Sequence, residues 1–276
     1  MRKINCGLIV SDFDGTLVNR DGTISEINKK AINEYVAAGG VFAISTGRMP
    51  AGILPRAREL GLKGIVSCCQ GAIILDIKTG KALLEGRISL ETTVAVCKKM
   101  EELGLHIHVY DFLDYYSNMD DAALKAYEHA VRAKATVIAD RPISEYVAET
   151  GLCSYKILAM VNPEDNAQIY AALETENFKE CCMTRSAEYL VEVINKNYSK
   201  GTAVEFLAKH YGIPLEEAVA IGDQLNDLPM IEKAGVGVAV QNADDSLKAV
   251  ADYVSVRTHE DGAVAEIIEK FGFTEE

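Results

Sequence analysis

At 276 residues the chain is long enough for one large or two modest domains, at the usual ~100–200 residues each, and for a core that needs no staples. Lys and Arg number 28 against 41 Asp and Glu, so the formal charge is −13, and the field repels nucleic acid and anionic bilayers. Hydrophobic residues at 49% and charged residues at 25% fit an ordinary globular domain, and no apolar run approaches the ~18 residues of a membrane span.

The first apolar stretch, Leu8 to Val10, is broken at once by Asp12 and Asp14, which fits a buried strand over Cys6 to Ser11 and not a signal-peptide core. The expected location is the cytoplasm. Thr23 to Gly39 reads as a helix, with Thr23 and Glu26 as a capping box, Ile27, Ala31, Ile32 and Tyr35 as the apolar face, and Gly39-Gly40 as the stop. A strand over Val41 to Ser45, a helix over Ala51 to Leu60 and a strand over Gly64 to Cys68 follow. Ala72 to Leu84 reads as a hairpin turning at Lys78 to Lys81. From about Leu84 to Arg185 the strands alternate in polarity, as in Leu105 to Val109 and Leu113 to Ser117, and mix with helices near Glu91 to Leu103 and Asp121 to Arg132. The βα rhythm then returns: strand Leu190 to Ile194, helix Gly201 to Tyr211, strand Ala218 to Gly222, helix Asp227 to Ala234, strand Val236 to Val240 and helix Gly262 to Phe271. The fold expected is α/β, a doubly wound, Rossmann-like parallel-sheet core with an inserted α+β domain. The seven cysteines lack C-x-x-C spacing and read as buried reduced thiols.

Four motifs sit where strands end. Asp12-Phe13-Asp14-Gly15-Thr16 closes the first strand, and residues two apart on extended chain face one way, so the two carboxylates converge. Such a pair repels unless a cation or proton separates it. An EF-hand reading fails, because Leu17 and Thr23 stand where the template needs Gly and Glu. Ser45-Thr46-Gly47-Arg48 offers a hydroxyl and free N–H groups for a phosphate, or simply caps the next helix. Lys200 opens a helix whose dipole disfavours it, a conflict an anion would resolve; a solvated lysine is the plain alternative. Gly222-Asp223-Gln224-Leu225-Asn226-Asp227 adds two more acids at the same sheet edge, with a helix cap as the alternative for Asp227. Four carboxylates in one crevice call for a divalent cation, and oxygen-only ligands favour magnesium over zinc or copper.

In this order the motifs resemble the haloacid dehalogenase superfamily of aspartate-nucleophile phosphohydrolases. The stretch from Thr16 to Thr46 is too short for a further domain, whereas a long one follows the second motif, which is similar to the Cof-type branch. The pattern Asn242-Ala243, Ala251-Asp252, Glu260-Asp261-Gly262 also resembles that branch. The resemblance implies a core over residues 1–83 and 187–276 and a cap over 84–186. It implies Asp12 as nucleophile and Asp14 as general acid and base. Mg²⁺ would be held by Asp12, the carbonyl of Asp14 and Asp223, with Asp227 a ligand through water or an orienting group. Thr46, Gly47, Lys200 and Asn226 would hold the phosphoryl group, and Arg48 is a candidate substrate contact or an ion-pair partner. The implied activity is a Mg²⁺-dependent phosphatase of small phosphorylated metabolites, sugar phosphates foremost. A phosphomutase and a non-catalytic sensor of a phosphorylated ligand are the alternatives. Gln224 and Gln70 depart from the family's usual Gly and Asn. Among insert residues, His108, Tyr115, Tyr116, Asn118 and Arg185 are candidates to reach a substrate, none favoured.

Overall fold

The computed structural model describes residues 3–274. Five strands come first: β1 (Leu8–Ser11), β2 (Val41–Ser45), β3 (Ile65–Cys68), β4 (Ile73–Asp76) and β5 (Ala82–Glu85). Six belong to the insert: β6 (His106–Tyr110), β7 (Tyr115–Ser117), β8 (Thr136–Val137), β9 (Lys156–Met160), β10 (Cys181–Ala187) and β11 (Leu190–Asn195). Three close the chain: β12 (Ala218–Gly222), β13 (Val236–Ala239) and β14 (Tyr253–Val254). The helices between them are α1 (Glu26–Ala37), α2 (Pro50–Glu59), α3 (Leu90–Glu102), α4 (Ala122–Val131), α5 (Ile143–Thr150) and α6 (Asn166–Thr175). They continue with α7 (Lys200–Tyr211), α8 (Leu228–Lys233), α9 (Asp245–Val250) and α10 (Ala263–Ile267), the last running on into a π-helical turn to Gly272.

The first sheet has the order β14-β13-β12-β1-β2-β3-β4-β5, parallel from β14 through β3, with the expected β4–β5 hairpin as an antiparallel edge. All four residues of β1 are buried, as a central parallel strand covered on both faces requires. Strand order reverses about β1, which lies between β12 and β2, and at such a switch point the carboxyl ends of the strands open a crevice.

The second sheet has the order β10-β11-β9-β6-β7-β8 and is antiparallel except for β7–β8. Period-two alternation divides its faces. Ile107, Val109, Ile157, Ala159, Val191 and Val193 share a core with α3, α5 and α6. Tyr110, Leu158 and Leu190, on the opposite face, join the core of the first sheet instead.

Three expectations change. The βα rhythm places the strand at Leu190 in the first sheet, with the boundary at 186/187. That strand instead pairs antiparallel with β9 and β10, so the second sheet runs to Asn195. Its apolar run looks the same in either sheet, and only the ladder partner distinguishes them. The cap of α1 is Ser25, whose hydroxyl accepts from Asn28 N at 3.4 Å; Thr23 is occupied in a turn with Asp21. The cysteines are all free, but only Cys6, Cys68, Cys69 and Cys97 are buried; Cys153 and Cys181 are partly exposed and Cys182 exposed.

Two chain segments join the sheets, after β5 and after β11, and they touch. A Cβ on Gly86 would lie 2.2 Å from the Tyr198 ring, and one on Gly71 would lie 2.2 Å from Ser199 O. Neither site has room for a side chain, and Gly71 also sits at φ +100°.

Candidate active site

Asp12, Thr46, Cys69 and Asp223 each directly follow one of the adjacent strands β1, β2, β3 and β12. Because these strands are parallel, the four tips meet along one sheet edge. Carboxylate oxygens of Asp12, Asp223 and Asp227 lie within 4.8 Å of one another, all three residues buried. Lys200 Nζ, itself buried, donates to Asp12 Oδ1 at 2.5 Å and to Asp227 Oδ1 at 2.5 Å. The solvated-lysine reading of Lys200 is thereby excluded. Asp227 Oδ2 accepts from the backbone N–H groups of Asp223 (2.8 Å) and Gln224 (3.0 Å), so this carboxylate folds its own loop and fixes the lysine. It caps the short turn before α8 and not α8 itself.

One ammonium among three carboxylates leaves the cluster short of positive charge. Burial above all pushes the Asp12 carboxyl well above the usual range; Lys200 opposes this, and the charges of Asp227, Asp223 and Asp14 add to it. Asp223 is pushed up to about 7 by burial and then by Asp227, against a 2.8 Å hydrogen bond from Thr16 Oγ1. Burial alone would lower Lys200, but Asp12 and Asp227 outweigh it and hold the ammonium charged. The donor set is all carboxylate oxygen, which suits a hard divalent cation. The backbone leaves space for it: Gly15, at φ +81°, brings the chain so near Asp223 that a Cβ would lie 2.5 Å from its Oδ2. Asn242, from the closing pattern, holds that turn by donating to Gly15 O at 2.9 Å while accepting from His259 N.

The Asp14 carboxylate stands apart from this cluster. Its side chain is half exposed and takes a bidentate pair from Arg48, Nε to Oδ2 at 2.7 Å and Nη2 to Oδ1 at 2.9 Å. The same guanidinium donates to Val131 O and Ala130 O at the end of α4, at 3.3 and 3.1 Å. Arg48 thus joins the first loop to the insert, and the ion-pair reading describes it.

A cavity of about 260 Å³ lies between the sheets, lined by Asp12, Asp14, Thr46, Gly47, Arg48 and Asn226 on one side. Lys200, Asp223 and Asp227 lie behind this lining. From the insert come Tyr110, Tyr127, Lys156 and Glu192, none of which the sequence reading singled out. Lys156 Nζ bonds to Glu192 Oε1 and Gly47 O, both at 2.9 Å, with Lys156 and Glu192 about 2% exposed. Gln70 Nε2 donates to Glu192 Oε2 at 2.6 Å and its Oε1 accepts from Asn226 at 3.1 Å. Gln70 is left-handed (φ 60°), and its amide spans from the first layer to the insert. The signal available was a lone charge in each of two apolar strands, at the start of KILAM and within LVEVIN. Of the insert candidates, His108 and Tyr115 are buried with Tyr110 and Tyr127 in an aromatic cluster, Asn118 hydrogen-bonds Ile107 N and Leu105 O, Tyr116 packs on Tyr146, and Arg185 stacks on Tyr170. None of these five lines the cavity. Gln224 has an extended backbone (φ −120°), so a side chain in place of glycine is accommodated there.

Acids and a lysine gathered on the edge of a parallel sheet beneath an inserted α+β layer define a class, and the chain belongs to it: a profile of haloacid dehalogenase-like hydrolases matches residues 9–268. It is similar to phosphatase YwpJ of Bacillus subtilis, 29% identical over 92% of this chain and 96% of that protein. It is also similar to 5-amino-6-(5-phospho-D-ribitylamino)uracil phosphatase YwtE of the same organism, 30% identical over 92% of this chain and 94% of the other. The structure of TM0651 from Thermotoga maritima superimposes with a TM-score of 0.80 at 27% identity, covering 98% of both chains. The protein is a phosphatase.

Proposed function

We propose that this phosphatase hydrolyses small sugar or polyol phosphates with Mg²⁺ and an aspartyl-phosphate on Asp12. The observation that carries the reading is the Asp12 carboxylate, steadied by Lys200 and facing a cavity of about 260 Å³. That volume falls below the ~300–1,000 Å³ of drug-sized sites, so it suits a phosphoryl group with a short leaving group. The ribityl phosphate named for YwtE, a relative at 30% identity, supports the same substrate class.

Lys200 holds Asp12 Oδ1, which leaves Oδ2 to attack phosphorus. An O–P bond forms to Asp12 as the ester P–O bond breaks, and Asp14, which takes up a proton from solvent once an oxygen is released from Arg48, gives that proton to the departing oxygen. Asp14 then takes a proton from water as the water oxygen attacks phosphorus, and Asp12 departs with phosphate released. Arg48 aims the Asp14 carboxyl, and Thr46, Gly47 and Asn226 face the phosphoryl oxygens. Asp12, the Asp14 carbonyl and Asp223 would hold the cation, which supplies positive charge against the phosphoryl oxygens; Asp227 stays with Lys200. The layer above the cavity acts as a cap that excludes bulk water.

Phosphate release from a panel of sugar and polyol phosphates tests this, with Mg²⁺ and with a chelator, for the native enzyme and Asp12→Asn. Turnover is expected to require Mg²⁺ and to vanish in the variant. Undiminished release in either arm refutes the reading, and transfer to a second hydroxyl without free phosphate would establish the mutase alternative.

A further inference from the structure

On the other side of Arg48 from the cavity lies an open groove of about 1080 Å³, which begins at Asp14 and runs between the first loop, α2 and the end of α4. The protein carries −13 overall, yet this groove is lined by Arg20, Arg56, Lys125, Arg132 and Lys134 besides Arg48. Lys125 is balanced by Asp120 and Arg48 by Asp14. Arg20, Arg132 and Lys134 are exposed and make no ion pair among the described residues.

Two of these cations converge. A Cβ on Gly22 would lie 2.7 Å from Arg56 Nη2 and 3.7 Å from Arg132 Nη2, so both guanidinium tips sit over one glycine, at φ +78°. Arg56 comes from α2, below the insert, and Arg132 follows α4, within it. Arg132 is held in the left-handed region (φ 55°) at the helix end. Arg56 Nη1 has a distant partner, Glu59 at 3.6 Å, but its Nη2 is buried with no hydrogen bond. The acids nearby are committed elsewhere: Asp21 feels the charge of Arg56 but its Oδ1 accepts from Thr23 N and Oγ1, and Glu128 accepts from Ala135 N and pairs with Lys125. Two like charges that approach across a joint, with only the charges of Asp21 and the distant Glu59 beside Arg56 and, among the described residues, none paired to Arg132, favour an anion between them.

We propose that Arg56 and Arg132 form a second oxyanion site, for a phosphate or carboxylate group, bridging the core and the insert. The group is the distal acid of a doubly anionic phosphate ester lying along the groove past Asp14, or a free dianion that draws the two layers together. The first source rests on the phosphatase reading; the second does not.

Arg132→Gln is the informative variant, because the side chain is exposed and its loss leaves the core intact. kcat/KM is measured for a sugar monophosphate and the corresponding bisphosphate, and the thermal midpoint of chelated protein is followed with added sulfate. Loss of one charge-assisted contact is expected to lower the bisphosphate-to-monophosphate ratio by about 10- to 100-fold, and Arg132→Lys to restore part of it. A ratio that stays fixed while the sulfate-induced rise in midpoint shrinks in Arg132→Gln assigns the site to a free anion. A fixed ratio together with an unchanged sulfate response overturns the proposal. Should the native enzyme release phosphate from no ester, the phosphatase reading fails and the sulfate arm alone decides the anion site.

Discussion

Asp223 shows how a single side chain records what its surroundings lack. Its carboxyl is lifted from 3.8 to about 7, chiefly by burial. Between those values the folded metal-free protein keeps a proton that the unfolded chain has already released. The unfolded state therefore binds fewer protons, and stability must fall as pH rises from about 4 to 7. Asp12, raised in the same direction, steepens the trend. Urea unfolding with a chelator is expected to show this decline, and saturating Mg²⁺ to flatten it by displacing the proton; stability that climbs with pH in the chelated protein would contradict it. Asp12 and Asp223 were legible in the sequence because each ends an apolar run, where a charge has no packing role, and Asp227 follows in the same motif. Lys156 and Glu192 were not, since a charged residue within a strand ordinarily marks a solvent-facing side. Here that side is covered by the first layer, which no local pattern announces.

Strands β9 and β11 place Lys156 and Glu192 on the same face, two positions from Leu158 and Leu190 respectively. Burial of this pair is tolerable because every oxygen of Glu192 has a donor: Lys156, Ser186 and Gln70. Lys156→Met alone leaves a buried anion short of its counter-charge and is expected to cost about 3–5 kcal/mol, while adding Glu192→Gln should recover more than half. A double-mutant cycle in urea measures this, and additive losses would show that the pair is not coupled. At this scale the sequence rhythm conveyed most strands and helices of the first layer, with the β4–β5 hairpin, and α3, β6, β7 and α4 of the insert, but left α5, β9, α6 and β10 unassigned. It did not convey that β11 completes the second sheet, because pairing is a property of two segments and hydrophobic periodicity reports on one.

Across the whole molecule, Arg48 is the cation that touches both the first loop and the insert, through Asp14 on one side and the final carbonyls of α4 on the other. α2 lies close beneath: a Cβ on Gly52 would be 2.9 Å from Val131 O. Arg48→Ala removes a charge-assisted contact to Asp14 and is expected to lower kcat/KM by about 10- to 100-fold. Loss of the link to α4 should also enlarge the radius of gyration measured by X-ray scattering. A fall in kcat/KM with unaltered dimensions would confine Arg48 to aiming Asp14.

The pairing of Gly86 with Tyr198 bears on how such enzymes diversify. Both passages between the layers run through one crowded doorway, a few residues before the lysine that holds Asp12. A foreign upper storey grafted onto this ground floor would have to bring a glycine and an aromatic ring as a matched set. Exchanging one without the other would wedge the doorway open and tug on Lys200, so evolution and engineers alike are expected to swap these modules whole.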